Sequence, residues 1–410
     1  MFRETLGGNM GAALAAMLLL LAATSRPIPL AAQKVTKAAV PTATSQPVAA
    51  PAPPTSTYWV YVGAESADLI HRIRFGPSGA AVEKTIEAGV QPTENEGPHG
   101  LQISKDGKYL HMSTGHGQPD GMYWKFELGP DTLVGDPIPL GMFPASLDVT
   151  ADGLYAFVVN FNLHGEMVPS SVSVVYTPTN TEVARTTTCV MPHGSRIRAD
   201  GAKQYSTCMM NDQLVELDTR TFKVTGRFSV AAGKEGAITD YHADHDMADM
   251  KVDNMEGHGA ALTASCSPTW AQPGATGTLI YVACNKMNEI LEIDASTWKL
   301  TRRFKTGVGP YNLAVTPDGK FLVSTLKKGS GFQMFDLTTG QSVYEDRTST
   351  TLAHGVVVTP DSRYAFVSAE GVGAAPGKVD IFDLRAHQKV ASVNVGQQAS
   401  GIAFWKMEPK

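Results

Sequence analysis

A short phrase returns seven times along the chain, each time opening a stretch patterned as a β-strand. It reads Pro98-His99-Gly100-Leu101, Pro144-Ala145-Ser146-Leu147, Pro192-His193-Gly194-Ser195, Pro268-Thr269-Trp270-Ala271, Pro310-Tyr311-Asn312-Leu313, Ala353-His354-Gly355-Val356 and Ala399-Ser400-Gly401-Ile402. Neighbouring copies stand 42 to 48 residues apart, save one interval of 76. A period in the forties built only of short strands is that of a propeller blade.

Each repeat has its own grammar. An alternating strand follows the phrase, then a turn such as Lys105-Asp106-Gly107, Ala151-Asp152-Gly153 or Pro317-Asp318-Gly319. Asp-Gly supplies a positive-φ turn position at little cost. Second strands follow, as in Tyr155 to Asn160 and Tyr364 to Ser368, then third strands such as Val379 to Asp383. A fourth strand, as in Lys299 to Thr306, completes four antiparallel strands per unit. The first unit, Trp59 to Ala64 onward, lacks a leading strand, and the missing strand stands at the other end, Ser400 to Phe404. The expected fold is therefore all-β: a seven-bladed β-propeller whose C-terminal strand completes the N-terminal blade. Such closure leaves no free sheet edge.

Pro310-Tyr311-Asn312-Leu313-Ala314-Val315-Thr316-Pro317-Asp318-Gly319-Lys320 and Leu279-Ile280-Tyr281-Val282-Ala283-Cys284 resemble the YVTN-type β-propeller repeat. That superfamily includes YncE-like periplasmic proteins, lactonase-like propellers and the propeller domains of some copper and haem enzymes. The resemblance speaks for the fold; one propeller hosts many chemistries.

Residues 1–33 read as a signal peptide: Arg3, an apolar run from Gly11 to Ala23, and Leu30-Ala31-Ala32-Gln33 as a cleavage site. The run is shorter than the roughly 20 apolar residues that span a bilayer, so no stable membrane insertion is expected after cleavage. Residues 34–56 are rich in Ala, Pro and Thr and read as a linker, leaving 57–410 as the propeller. The expected location is periplasmic or secreted. With a net charge of -5 and no basic run, nucleic-acid binding is excluded for want of a positive footprint.

The repeat also sorts the histidines. In a propeller the phrase lies at the mouth of the central channel, on the face shared with the loops from second to third strands. His99, His193 and His354 hold one position in three blades, and His116 and His164 lie in such loops. The long interval contains an insertion, 231–264, with His242, His245, Met247, Met250 and His258. Eight of the eleven histidines thus map to this top face. Imidazole suits several transition metals and thioether favours Cu(I), so the pattern points first to a copper site at the channel mouth. The plainer alternative is that a His before Gly hydrogen-bonds the backbone of a neighbouring blade.

Cys189 and Cys266 precede two of the phrases, and Cys208 and Cys284 end the second strands that follow, 19 and 18 residues later. In an oxidising compartment this predicts disulfides Cys189–Cys208 and Cys266–Cys284. No nucleophile elbow, phosphate loop or dinucleotide fingerprint appears in a supporting context. A lactonase-like hydrolase would instead draw on top-face carboxylates, Glu166 and Glu370 first, beside Asp212 and Asn285. Oxygen donors of that kind favour a divalent cation such as Ca²⁺ or Mg²⁺ over copper. Three functions fit the sequence: a binding protein for a metal ion or small molecule, a lactonase-like hydrolase, and a scaffold for a protein partner without metal.

Overall fold

The computed structural model describes residues 52–91, 93–116, 121–239 and 264–409. The signal-like segment, most of the linker and the heart of the insertion, with His242, His245, Met247, Met250 and His258, lie outside the described residues.

Seven antiparallel sheets form among the described residues, each starting from one repeat of the phrase. Their inner strands are Pro98–Ile103, Pro144–Val149, Pro192–Ile197, Pro268–Pro273, Pro310–Val315, Ala353–Val358 and Ala399–Pro409. Successive inner strands lie side by side around the channel, and Ala399–Pro409 also packs against Pro98–Ile103. Ala399–Pro409 pairs with Ser56–Ala64, so the last strand completes the first blade and closes the ring.

Burial follows place in the blade. The second strand Tyr155–Asn160 is buried after its first residue, whereas the outer strand Gly79–Glu87 alternates exposed and half-buried. A strand covered on both faces tolerates a continuous apolar run, while an outer strand needs only one apolar face. The seam between the last and first blades is aromatic: Tyr58, Phe75, Tyr364 and Phe366 share one buried cluster. Tyr364 meets Tyr58 and Phe75 edge-on at 5.2 and 5.1 Å. Tyr58 also donates to Asp361 across the seam at 2.8 Å.

Turns between first and second strands repeat one device. Asp106 accepts from Ser104 Oγ and Lys108 N, Asp152 from Thr150 Oγ1 and Leu154 N, and Asp318 from Thr316 Oγ1 and Lys320 N. The glycines that follow, Gly107, Gly153 and Gly319, have φ of 69, 74 and 71°.

Both disulfides form as expected, with Cα–Cα distances of 5.8 Å for Cys189–Cys208 and 4.5 Å for Cys266–Cys284. Cys266–Cys284 braces a single blade, the fifth, whereas Cys189–Cys208 does not. Cys189 is the penultimate residue of the outer strand Thr181–Val190 of the third blade, and Cys208 ends the second strand Lys203–Cys208 of the fourth. That bridge staples neighbouring blades together. The start of the insertion is also more regular than a loop, because Gly236–Ala237 adds a fifth strand to the fourth blade. Among the described residues no helix is long and apolar enough to cross a membrane.

Candidate functional site

Two positions in each blade build the top of the channel. One is the second residue of the inner strand: His99, Ala145, His193, Thr269, Tyr311, His354 and Ser400. The other follows the second strand: Glu65, Gly115, Phe161, Met209, Asn285, Lys327 and Glu370. Glu65, His99, Phe161, His193, Tyr311, Lys327, His354 and Glu370 line a cavity of about 440 Å³, with Phe143, Leu163 and Leu352 adding apolar wall. Volumes of roughly 300–1,000 Å³ are usual for small-molecule sites.

The backbone bends sharply to reach this cavity. The residue before every inner strand has positive φ: Gly97, Phe143, Met191, Ser267, Gly309, Leu352 and Gln398. For a non-glycine residue that conformation costs about 1–2 kcal/mol. The glycine of the phrase answers a different need. A Cβ on Gly100 would run into the Ala145 carbonyl, and one on Gly401 into the His99 carbonyl. Glycine there lets inner strands crowd together at the neck of the channel.

Glu65 is the organising charge on one side. It lies in the short 3-10 turn Glu65–Ala67, buried, with His99 Nδ1 at 2.9 Å and His116 Nε2 at 3.1 Å. Burial alone would raise its carboxyl, but His99 and His116 outweigh that and hold it at about 2. An ionised carboxylate only accepts, so His99 donates Nδ1–H to it. Among the described residues His99 Nε2 has no hydrogen-bond partner.

Lys327 is the charge on the other side. Its Nζ lies 2.6 Å from Glu370 and 4.4 Å from the centre of the Tyr311 ring. Burial opposes the ammonium, yet the Tyr311 ring beneath it and the Glu370 carboxylate more than compensate, and its pKa rises above the ordinary lysine value. Tyr311 is pushed up by burial and stays a phenol.

His193 donates Nδ1–H to the Thr269 carbonyl of the next blade at 2.6 Å, with Nε2 3.2 Å from the Tyr311 hydroxyl. Burial, reinforced by His99, lowers it to about 3. His354 lies 3.8 Å from Glu370 through Nε2 and is driven well down by burial and Lys327. Both rings are therefore neutral near pH 7.

Five of the eight top-face histidines fall within the described residues, and they gather here. His99 and His354 stand 5.4 Å apart, and His116 stacks on His164 at 5.4 Å beside Phe143. Glu370 faces the cavity, whereas Glu166 is exposed and is not part of its lining. Asp212 serves the backbone, accepting from Ser265, Cys266 and Ser267 amides where the chain returns from the insertion. Glu65 and Lys327 escaped the sequence reading. Both occupy the same post-strand position that singles out Glu370 and Asn285, so the signal was present in the repeat. Among the described residues, no three His, Cys, Asp or Glu side chains are arranged to hold a metal ion.

Fold and site together define a closed seven-bladed propeller with a buried polar cavity at one mouth of its channel. No protein-family model matches the chain, and no curated protein matches it. Solved structures do resemble it. The periplasmic gluconolactonase of Pseudomonas aeruginosa superposes with TM-score 0.62 at 16% identity, covering 85% of this chain and 99% of that one. A functionally unknown protein from Desulfotomaculum acetoxidans gives 0.63 at 13%, covering 86% and 100%. The hydrazine synthase of Kuenenia stuttgartiensis gives 0.56 at 16%, covering 77% and 93%. At these identities the likeness is one of fold.

Proposed function

We propose that the chain is an exported hydrolase of small lactones or related esters, acting in the cavity at the top of the channel. The observation that carries this is the Glu65–His99 pair opening into the same cavity as the Lys327 ammonium. His99 Nε2 takes a proton from water as the water oxygen bonds to the substrate carbonyl carbon. The carbonyl oxygen gains negative charge, which Lys327 stabilises. The tetrahedral adduct collapses, the ring C–O bond breaks, and the imidazolium returns its proton to the leaving oxygen. Products are a hydroxy acid, with no redox change. Glu65 holds the imidazole in the tautomer this needs and steadies the imidazolium. The apolar wall of Phe143, Phe161 and Leu163 suits the carbon frame of a small substrate.

The shared fold with a periplasmic gluconolactonase supports this substrate class, and the signal-like segment and two disulfides support export. A panel of γ- and δ-lactones, followed by acid release at constant pH, tests it. Turnover that His99→Gln abolishes supports the reading; rates equal to buffer across the panel refute it.

One observation favours a second reading, copper binding. His99 and His193 each give Nδ1 to an oxygen acceptor, the supporting contact that metal-bound imidazoles make, although His193 Nε2 is already bonded to the Tyr311 hydroxyl. Lys327 opposes it by adding a cation to the same cavity. His99, His193 and His354 would be the fixed ligands, with His242, His245, Met247, Met250 and His258 as donors from the insertion. Titration with Cu(I) and Cu(II) under dialysis decides: tight copper lost in the triple-His variant supports this reading, and weak binding indifferent to that variant removes it.

A further inference from the structure

The lower half of the channel holds a cation for which the chemistry above has no use. Arg196 is the fifth residue of the inner strand Pro192–Ile197. It lines both a narrow waist of about 20 Å³, beneath His99, His193 and His354, and a second cavity of about 430 Å³ toward the opposite mouth. The guanidinium stands 4.5 Å from the centre of the Trp270 ring. Its Nη1 donates to the Ser195 carbonyl at 2.8 Å and the Leu147 carbonyl at 3.4 Å. Among the described residues its Nε and Nη2 have no hydrogen-bond partner, and no carboxylate lies within ion-pair distance.

The nearby acid is already committed. Asp148 accepts from Gln102 Nε2 and from the Val149 and Ile197 amides. Burial draws the Arg196 pKa down, with Asp148 acting in the other direction. A guanidinium nonetheless keeps its charge in proteins. A half-buried charge whose nearest carboxylate, Asp148, acts on it only at a distance gains from a directly bonded anion. Part of its surface remains open to the cavity. The wall below it is mixed: Gln102, Lys105 and Gln272 bring polar groups, and Ala314, Val357 and Phe404 give it an apolar side.

We propose that the lower channel is a second binding site, for a small organic carboxylate whose head sits in the Arg196 fork and whose apolar body lies along Ala314, Val357 and Phe404. A planar carboxylate matches the two free donors of a guanidinium edge. The proposal stands apart from the hydrolase reading, since the two cavities meet only at the waist.

Calorimetric titration of sodium benzoate into the full protein at fixed ionic strength tests it. Saturable binding to one site per chain is expected, weakened at least about tenfold by Arg196→Met, as loss of a charge-assisted pair requires. Ala314→Trp, which fills the cavity and leaves the cation, should weaken it as well. Lys327→Met, which removes the top-face cation, should leave it unchanged. The proposal is overturned if benzoate gives no saturable heat, if Arg196→Met binds it as wild type does, or if Lys327→Met alone abolishes it. Inorganic phosphate binding as tightly as benzoate would overturn the role given to the apolar wall.

Discussion

His99 Nδ1 lies 2.9 Å from the carboxylate of Glu65, a residue 34 positions earlier and on the neighbouring blade. The blade that Glu65 belongs to exists only because the C-terminal strand completes it. Ring closure and the proposed chemistry therefore depend on the same strand.

Glu65→Gln keeps the shape of the side chain and removes its charge. On the hydrolase reading it lowers kcat by about ten- to a hundredfold, less than the roughly 10²–10⁴-fold that the general base itself supplies, because His99 remains. KM stays close to wild type, because the substrate itself binds to the walls and Lys327. Steady-state kinetics on the best lactone of the panel checks the split. A rise in KM with kcat unchanged would place Glu65 in substrate binding instead.

Acid stability follows from the buried imidazoles. His111 and His193 fall from 6.5 to about 3 on folding, chiefly through burial, and His354 moves the same way. Between about 6.5 and 3 the unfolded chain binds protons that the folded chain refuses, so stability drops as pH falls through that window. The slope approaches about 1.4 kcal/mol per pH unit for each such histidine. Glu65, lowered from 4.5 to about 2, adds loss below about 4.5. Urea unfolding at pH 7, 6, 5 and 4 should show this decline, and His111→Leu should flatten it. His111 is the informative choice, since it is fully buried, bonded to Tyr123 at 2.6 Å, and outside the cavity.

The disulfides close loops of 19 and 18 residues. The chain-entropy model gives each roughly 3 kcal/mol. Cys189→Ser with Cys208→Ser should lower unfolding free energy by about that amount and loosen the seam between the third and fourth blades. Hydrogen exchange across Thr181–Val190 and Lys203–Cys208 reads the seam directly. Equal protection with and without the bridge would show that side-chain packing alone holds the two blades.

The repeat phrase carried the fold. Proline or alanine opening an inner strand, most often followed by a turn with Asp, recurs because each blade must solve the same packing problem. The tight neck explains its glycine: Gly100 and Gly401 sit where a Cβ would meet backbone. The histidines at the second position were legible for the same reason. Glu65 was hidden because its blade has no leading strand in sequence, so no phrase precedes it to set the register. Lys327 was passed over because a lysine after a strand looks like a solvated surface residue. Only the fold brings Lys327 beside Tyr311 of its own blade and Glu370 of the next, with burial enough to make it part of a site. Cys189 shows the same limit from another side. Its spacing to Cys208 was readable, but that it lies in the outer strand of one blade and bridges to the next required the sheet topology.

The most direct measurement is lactone hydrolysis by the purified mature protein, wild type against His99→Gln, in the presence of a copper chelator. The account predicts turnover above the buffer rate that survives the chelator and falls by about a hundredfold or more in the variant. Hydrolysis indistinguishable from buffer, or unchanged by His99→Gln, would contradict it.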